Sequence, residues 1–183
     1  MTPVRPLTKK EKSRLKIMHA AKGLFEEQGI DQVTFTHIAE EAEVCRTTVF
    51  NHFAGTSELL LGIFTQEIED LIDHCEETCL TGEPLIYALF DRLIEDTANY
   101  PSLSVRLLNN AVMIKDGDNP IRLIEKITAD NLPEGSQQTA VLICGAYYGL
   151  INHYYINNKK FDPAVLKNDF HGMLEVISGG KND

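Results

Sequence analysis

Beyond the first few residues, apolar positions return every three or four residues, and no stretch alternates apolar and polar residues as a half-buried strand would. Over Lys9–Gln28, Ile17, Met18, Ala21, Leu24 and Phe25 share one helical face, and Gly29 stops the helix. Thr34 reads as the N-cap of a second helix with Phe35, Ile38, Ala39 and Ala42 on one side. After a short break at Glu43 and Val44, a third helix starts near Cys45 and buries Val49 and Phe53. Ala54, Gly55 and Thr56 form the next break. A long helix follows, striped by Leu60, Phe64, Ile68, Leu71 and Ile72, and Gly82-Glu83-Pro84 ends it. Pro84 suits the start of another helix, which carries Ile86, Leu89, Phe90, Leu93 and Ile94 and stops before Pro101. Further helices are predicted over 102–115, 120–130, 136–158 and 163–178, separated by breakers at 115–118, 132–135 and 161–163. The fold class is all-α, with about nine helices and three short ones at the N-terminal end.

Composition first argues against a nucleic-acid partner. The 183 residues carry a net charge of −10, which opposes loose binding to nucleic acid or to an anionic membrane. The distribution changes that picture. Residues 1–60 hold eight basic and eight acidic residues, whereas 61–183 hold nine and nineteen. Arg5, Lys9, Lys10, Lys12, Arg14, Lys16 and Lys22 face only Glu11 within the first 22 residues. An acidic body therefore carries a basic arm and first helix. Cys45, Cys75, Cys79 and Cys144 are too few and too scattered for a disulfide scaffold. The N-terminus lacks an apolar signal core, and the longest apolar run, 140–151, falls short of the roughly 20 residues that span a bilayer. These features point to a cytoplasmic protein with reduced thiols and no membrane partner.

The second and third helices, joined by a short turn and packed through Ile38, Ala39, Ala42, Val44, Val49 and Phe53, have the form of a helix-turn-helix. The second helix of such a unit lies in the major groove with its N-terminal residues toward the bases. Here that end is Arg46-Thr47-Thr48. Arginine pairs bidentately with guanine, and threonine offers a hydroxyl plus a methyl for thymine. Asn51 and His52 follow a turn later, where phosphates would lie.

The segment FEEQGIDQVTFTHIAEEAEVCRTTVFNHFAGTSELLLGIF, with the basic helix before it, resembles the N-terminal domain of TetR-family transcriptional regulators. Gly29, Ile30, Val33, Thr34, Ile38, Ala39, Ala42, Val44, Thr48, His52, Phe53, Leu59 and Leu60 match the family pattern. Downstream, GAYYGLINHYY is similar to the family's dimerising region. The resemblance implies a DNA-binding domain over 1–56 and a helical effector-binding and dimerisation domain over 57–183. It implies a homodimer that represses from a palindromic double-stranded DNA operator and is released by a small-molecule effector. Thr34 and Thr36 would bond phosphate, and Arg46, Thr47 and Thr48 would face bases. Phe50 stands where the family has a phosphate-binding tyrosine, and His52 where a histidine or tyrosine approaches the backbone. Four positions depart from the pattern. Glu43 replaces the turn glycine, Cys45 the N-cap serine, Phe50 the tyrosine, and Thr56 a phosphate-touching lysine.

Each sharp reading has a plain alternative. Arg46 and Asn51 can be solvated, and His52 can be a packing histidine. Cys75 and Cys79 share a helical face near His74, but they continue an apolar stripe and read better as buried packing thiols than as a metal or redox site. Cys45 is the candidate oxidisable thiol. Gly145 and Gly149, with Val141 a turn earlier, allow close helix approach, either within the chain or across the dimer implied by the family. Tyr87, Asp91, Asn109, Tyr147, Asn152 and His153 are candidate lining residues of a ligand cavity, with ordinary surface or interface as the alternative. No GxSxG, HExxH, P-loop or GxGxxG occurs. The expectation is therefore no catalysis, no cofactor and no metal. The alternative function is an all-helical dimeric interaction protein whose helix-turn-helix no longer binds DNA.

Overall fold

The computed structural model describes residues 6–114, 119–133 and 137–179. Arg5 of the basic arm and the breakers at 115–118 and 134–135 lie outside them. Among the described residues there are nine α-helices and no strand: α1 (Lys9–Gln28), α2 (Phe35–Glu41), α3 (Arg46–His52), α4 (Thr56–Thr78), α5 (Glu83–Asn99), α6 (Pro101–Val112), α7 (Pro120–Asp130), α8 (Gln137–Ile156) and α9 (Pro163–Ile177).

Local chemistry explains most ends. Thr8 and Glu11 form a reciprocal capping box on α1, which satisfies two otherwise orphan groups. Proline opens α5, α6, α7 and α9, where its missing N–H costs nothing. Asn119 caps α7, and Asp162 caps α9 by accepting from Ala164 and Val165. Three helices end sooner than predicted, among them α6, which stops at Val112 rather than at 115. The long fourth helix stops at Thr78, because Cys79 turns into the left-handed region at φ 54°. Cys79 is consequently exposed and does not continue the buried stripe; Cys75 does. Helix α8 stops at Ile156. There Asn158 adopts φ 51°, with Asn158 N–H bonded to Tyr155 O and Lys159 N–H to Tyr154 O, the two bonds of a Schellman cap.

The chain divides into two compact units, Met1–Ile63 and Phe64–Asp183, with the division inside α4. In the first unit α1, α2 and α3 pack on one another around Ile17, Ala21, Phe25, Ile38, Val49 and Phe53, with Leu59 and Ile63 from the first turns of α4 also buried. Each fully buried aliphatic or phenyl side chain contributes roughly 1.5–3 kcal/mol, so this cluster sets the geometry of the short helices. In the second unit α8 packs against α6, α7 and α9, and α5 against α6 and α9. Its core centres on Phe90, Tyr147 and Phe170, with the Phe90 and Phe170 rings 4.8 Å apart. The Thr97 and Tyr147 hydroxyls are buried there and share a 2.7 Å hydrogen bond.

Candidate nucleic-acid interface

The turn between α2 and α3 decides where α3 points. Glu43 takes φ 52°, the left-handed conformation that glycine adopts without cost. Its N–H bonds Glu40 O, and Val44 N–H bonds Ala39 O. These two bonds form a Schellman motif, with glutamate in the position that normally favours glycine. Lys16 of α1 reaches the Glu43 carboxylate at 3.2 Å, although both side chains are largely solvated. A second anchor lies at the far end of α3. His52 Nε2 and Ser13 Oγ are 2.7 Å apart, and Arg14 donates to His52 O at 3.3 Å. The Arg14 guanidinium lies 4.3 Å from the Phe53 ring centroid. Gly62 makes this packing feasible. A Cβ there would stand 2.8 Å from the Arg14 guanidinium and 2.9 Å from the Phe53 ring. Burial, then the positive charges of Arg14 and Lys10, hold His52 below the usual histidine pKa, so it is mainly neutral at pH 7.

The predicted contact residues fall into distinct settings. Thr34 caps α2: its Oγ1 accepts from His37 N–H, which leaves the hydroxyl proton free to donate. Thr36, Arg46, Thr47, Phe50 and Asn51 are exposed. Thr48 is half-buried, and its hydroxyl lies 2.9 Å from Cys45 Sγ. Cys45 occupies the N-cap without a side-chain capping bond, as expected of a poor acceptor. The Thr48 hydroxyl beside the sulfur lowers the Cys45 thiol pKa. Thr56 is the first residue of α4 and is half-buried. His52 is also half-buried, tied to α1 rather than standing clear of the surface. Arg14, counted in the basic arm, is likewise turned into the packing; Lys9, Lys10, Lys12 and Lys16 remain exposed. Sequence reasoning missed the roles of Ser13, Arg14 and Gly62. Their partners lie far along the chain, and helical periodicity carries no signal for that.

In the second unit the six candidate lining residues do not converge on one site. The Asp91 carboxylate is 2.7 Å from His171 Nε2, and the Tyr87 ring packs edge-on to His171 at 4.8 Å. Tyr147 belongs to the core. Asn152 turns back to donate to Tyr148 O, and Asn109 and His153 are exposed. A separate cleft of about 540 Å³ lies between α4 and α7, lined by Thr65, Ile68, Glu69, Pro120, Leu123 and Lys126 among others. Tyr148 Oη is buried with no hydrogen-bond partner among the described residues. Gly145 and Gly149 are exposed, and a Cβ on either would meet nothing within 4 Å, so neither serves close packing among the described residues. Burial raises the Cys75 thiol, and pushes that of Cys144 up to about 12, which makes both poor nucleophiles. No group of three or more His, Cys, Asp or Glu among the described residues is arranged to hold a metal, and no described helix is long and apolar enough to cross a membrane.

A 20-residue helix followed by two short ones, the last exposed along one face and tied to the first through Ser13 and His52, has the arrangement of a helix-turn-helix domain. Residues 17–63 match the model of the bacterial regulatory proteins of the tetR family. Solved structures share the fold over nearly the whole chain. The regulator FadR from Bacillus subtilis, in complex with stearoyl-CoA, is 19% identical over 91% of this chain and 98% of its own, with a TM-score of 0.67. The TetR-family repressor FadR of Thermus thermophilus, in complex with lauroyl-CoA, is 19% identical over 93% and 95%, with a TM-score of 0.64. A transcriptional regulator from Aquifex aeolicus VF5 is 21% identical over 90% and 99%, with a TM-score of 0.65. No curated protein sequence matches the chain significantly.

Proposed function

We propose that this protein is a cytoplasmic transcriptional repressor that binds a palindromic operator as a homodimer and is released by a small-molecule effector. The observation that carries the reading is the exposed row of Arg46, Thr47, Phe50 and Asn51 on α3, a helix fixed to α1 through Ser13–His52 and Lys16–Glu43. Arg46, Thr47 and Thr48 read bases; Thr34, Thr36, Asn51 and Thr56 hold the backbone, helped by the lysines of α1.

Dimerisation is supported by exposed apolar positions on α8 and α9 that find no partner among the described residues. Leu142, Ile156 and Val176 are 59%, 73% and 78% exposed, beside Val141, Gly145 and Gly149. Clustered apolar surface of this kind marks interaction sites. The effector has an apolar body, by analogy with the acyl-CoA ligands of the two FadR relatives. The cleft between α4 and α7 is its candidate site, with Ile68, Pro120 and Leu123 for the body and Lys126 at the rim. Because α4 belongs to both units, an effector that favours one setting of α4 changes the spacing of the two reading helices. Its leverage equals its differential affinity for the two settings; a hundredfold preference is ~2.7 kcal/mol.

The test is selection of bound duplexes from random DNA by the full chain, followed by binding at several salt concentrations. A palindromic consensus, with affinity falling steeply as salt rises, supports the reading. A folded dimer that enriches no sequence at low salt would point instead to an interaction protein.

A further inference from the structure

Arg46 and Phe50 stand one turn apart on α3, and both are exposed. The guanidinium carbon of Arg46 lies 5.2 Å from the Phe50 ring centroid. The same ring packs on Phe35 of α2, with centroids 5.0 Å apart and planes inclined at 54°. Phe35 is only 9% exposed, so its position is set by the domain core; Phe50 is 46% exposed.

Two consequences follow. A cation is drawn to the face of an aromatic ring, so Phe50 narrows the conformations of a long and flexible arginine side chain. The ordering cost that Arg46 would otherwise meet on pairing with a base is partly met before DNA arrives. The second consequence concerns what the ring itself touches. A phenyl group neither donates nor accepts a hydrogen bond, so it cannot take the phosphate contact of a tyrosine. Its exposed edge is apolar, and the apolar feature of the major groove is the thymine methyl. Successive bases of one strand are about 3.4 Å apart, so groups separated like Arg46 and Phe50 reach neighbouring base pairs.

We propose that Phe50 is a specificity-determining residue: it holds Arg46 for a guanine and itself selects a thymine at the neighbouring base pair. The proposal rests on the DNA-reading role given to α3 above.

The test uses the full-length chain and the duplex obtained by selection. Arg46→Ala identifies the guanine that Arg46 reads, as the position where base preference disappears. Uracil is then placed at each neighbouring thymine in turn, which removes the methyl and nothing else. The native chain should bind one uracil duplex about three- to fivefold more weakly. Phe50→Ala should lose that difference and also reduce the preference for guanine at the Arg46 position. Phe50→Tyr, which keeps the ring, should retain both. In the Arg46→Ala background, Phe50→Ala should bring no further loss at the guanine. Each preference is a ratio of affinities within one folded variant, so a general loss of stability does not imitate the result. Phe50→Ala with native preferences at both positions, or with equal weakening on every duplex, would overturn the proposal. If Arg46→Ala leaves every base preference intact, the proposal falls while DNA reading by the domain stands. If the native chain binds no duplex at low salt, both fall together.

Discussion

His52 Nε2 lies 2.7 Å from Ser13 Oγ, and this one bond ties the last turn of α3 to the second turn of α1. It spans 39 positions of sequence and joins the end of the reading helix to the basic helix. Burial, Arg14 and Lys10 disfavour the protonated ring. The folded pKa is therefore below the unfolded value of about 6.5. Between the two values the unfolded chain binds more protons, so stability falls with falling pH. The contribution is fully present above about pH 6.5 and is lost as pH drops through the folded value. Thermal melts from pH 7.5 to 5 should show this decline, and His52→Gln should flatten it. Identical slopes for the two proteins would show that another group titrates.

Glu43 has the opposite character, a side chain in a conformation it does not favour. Relieving a left-handed non-glycine residue is worth roughly 1 kcal/mol, whereas a solvated ion pair such as Lys16–Glu43 contributes about 0–1 kcal/mol. Glu43→Gly should therefore leave stability unchanged or raise it by up to about 1 kcal/mol. Chemical denaturation is the measurement. A clear loss of stability would mean that the Lys16 pair outweighs the backbone strain.

Gly62 is closely packed on both sides. A methyl there must displace the Phe53 ring, which is fully buried, as well as the more yielding end of Arg14. Overpacking of this kind costs typically 1–3 kcal/mol. Gly62→Ala should lower stability by that amount and weaken the Arg14–His52 contact, visible as faster amide exchange in α3. Unchanged exchange would show that Arg14 swings aside without consequence.

On α8, Gly149 is exposed, and a Cβ there would meet nothing within 4 Å among the described residues. Gly149→Arg should leave helical content intact and yield a monomer by sedimentation. A dimer of native stability would move the interface away from this face.

Much of the helix layout was legible because turn chemistry and period agreed. Thr34, Asp162 and the four helix-opening prolines mark starts that any reading of caps would find. The strained turn at Glu43 was legible as a departure from a glycine position. The early ends at Thr78 and Ile156 were not, because Cys79 and Asn158 enter the left-handed region without a glycine to announce it. The exposed row on α3 follows from amphipathic spacing alone. The inward turn of Arg14, and the pairing of His52 with Ser13, depend on how α1 packs against α3, and local sequence does not encode that. The second unit was the least legible. Tyr87, Asp91 and Tyr147 are polar or amphipathic, as cavity residues are, but their partners are His171 and Thr97 on neighbouring helices.

The most direct test of DNA reading by α3 is the affinity of the native chain and of Arg46→Ala for the selected duplex, measured as salt is varied. Loss of one guanine contact should weaken binding by roughly 1–3 kcal/mol and relax preference at that base. The salt dependence should remain steep in both proteins, because the phosphate contacts are intact. Equal affinity of the two proteins for the selected duplex, with the same base preferences, would contradict the assignment of α3 as the reading helix.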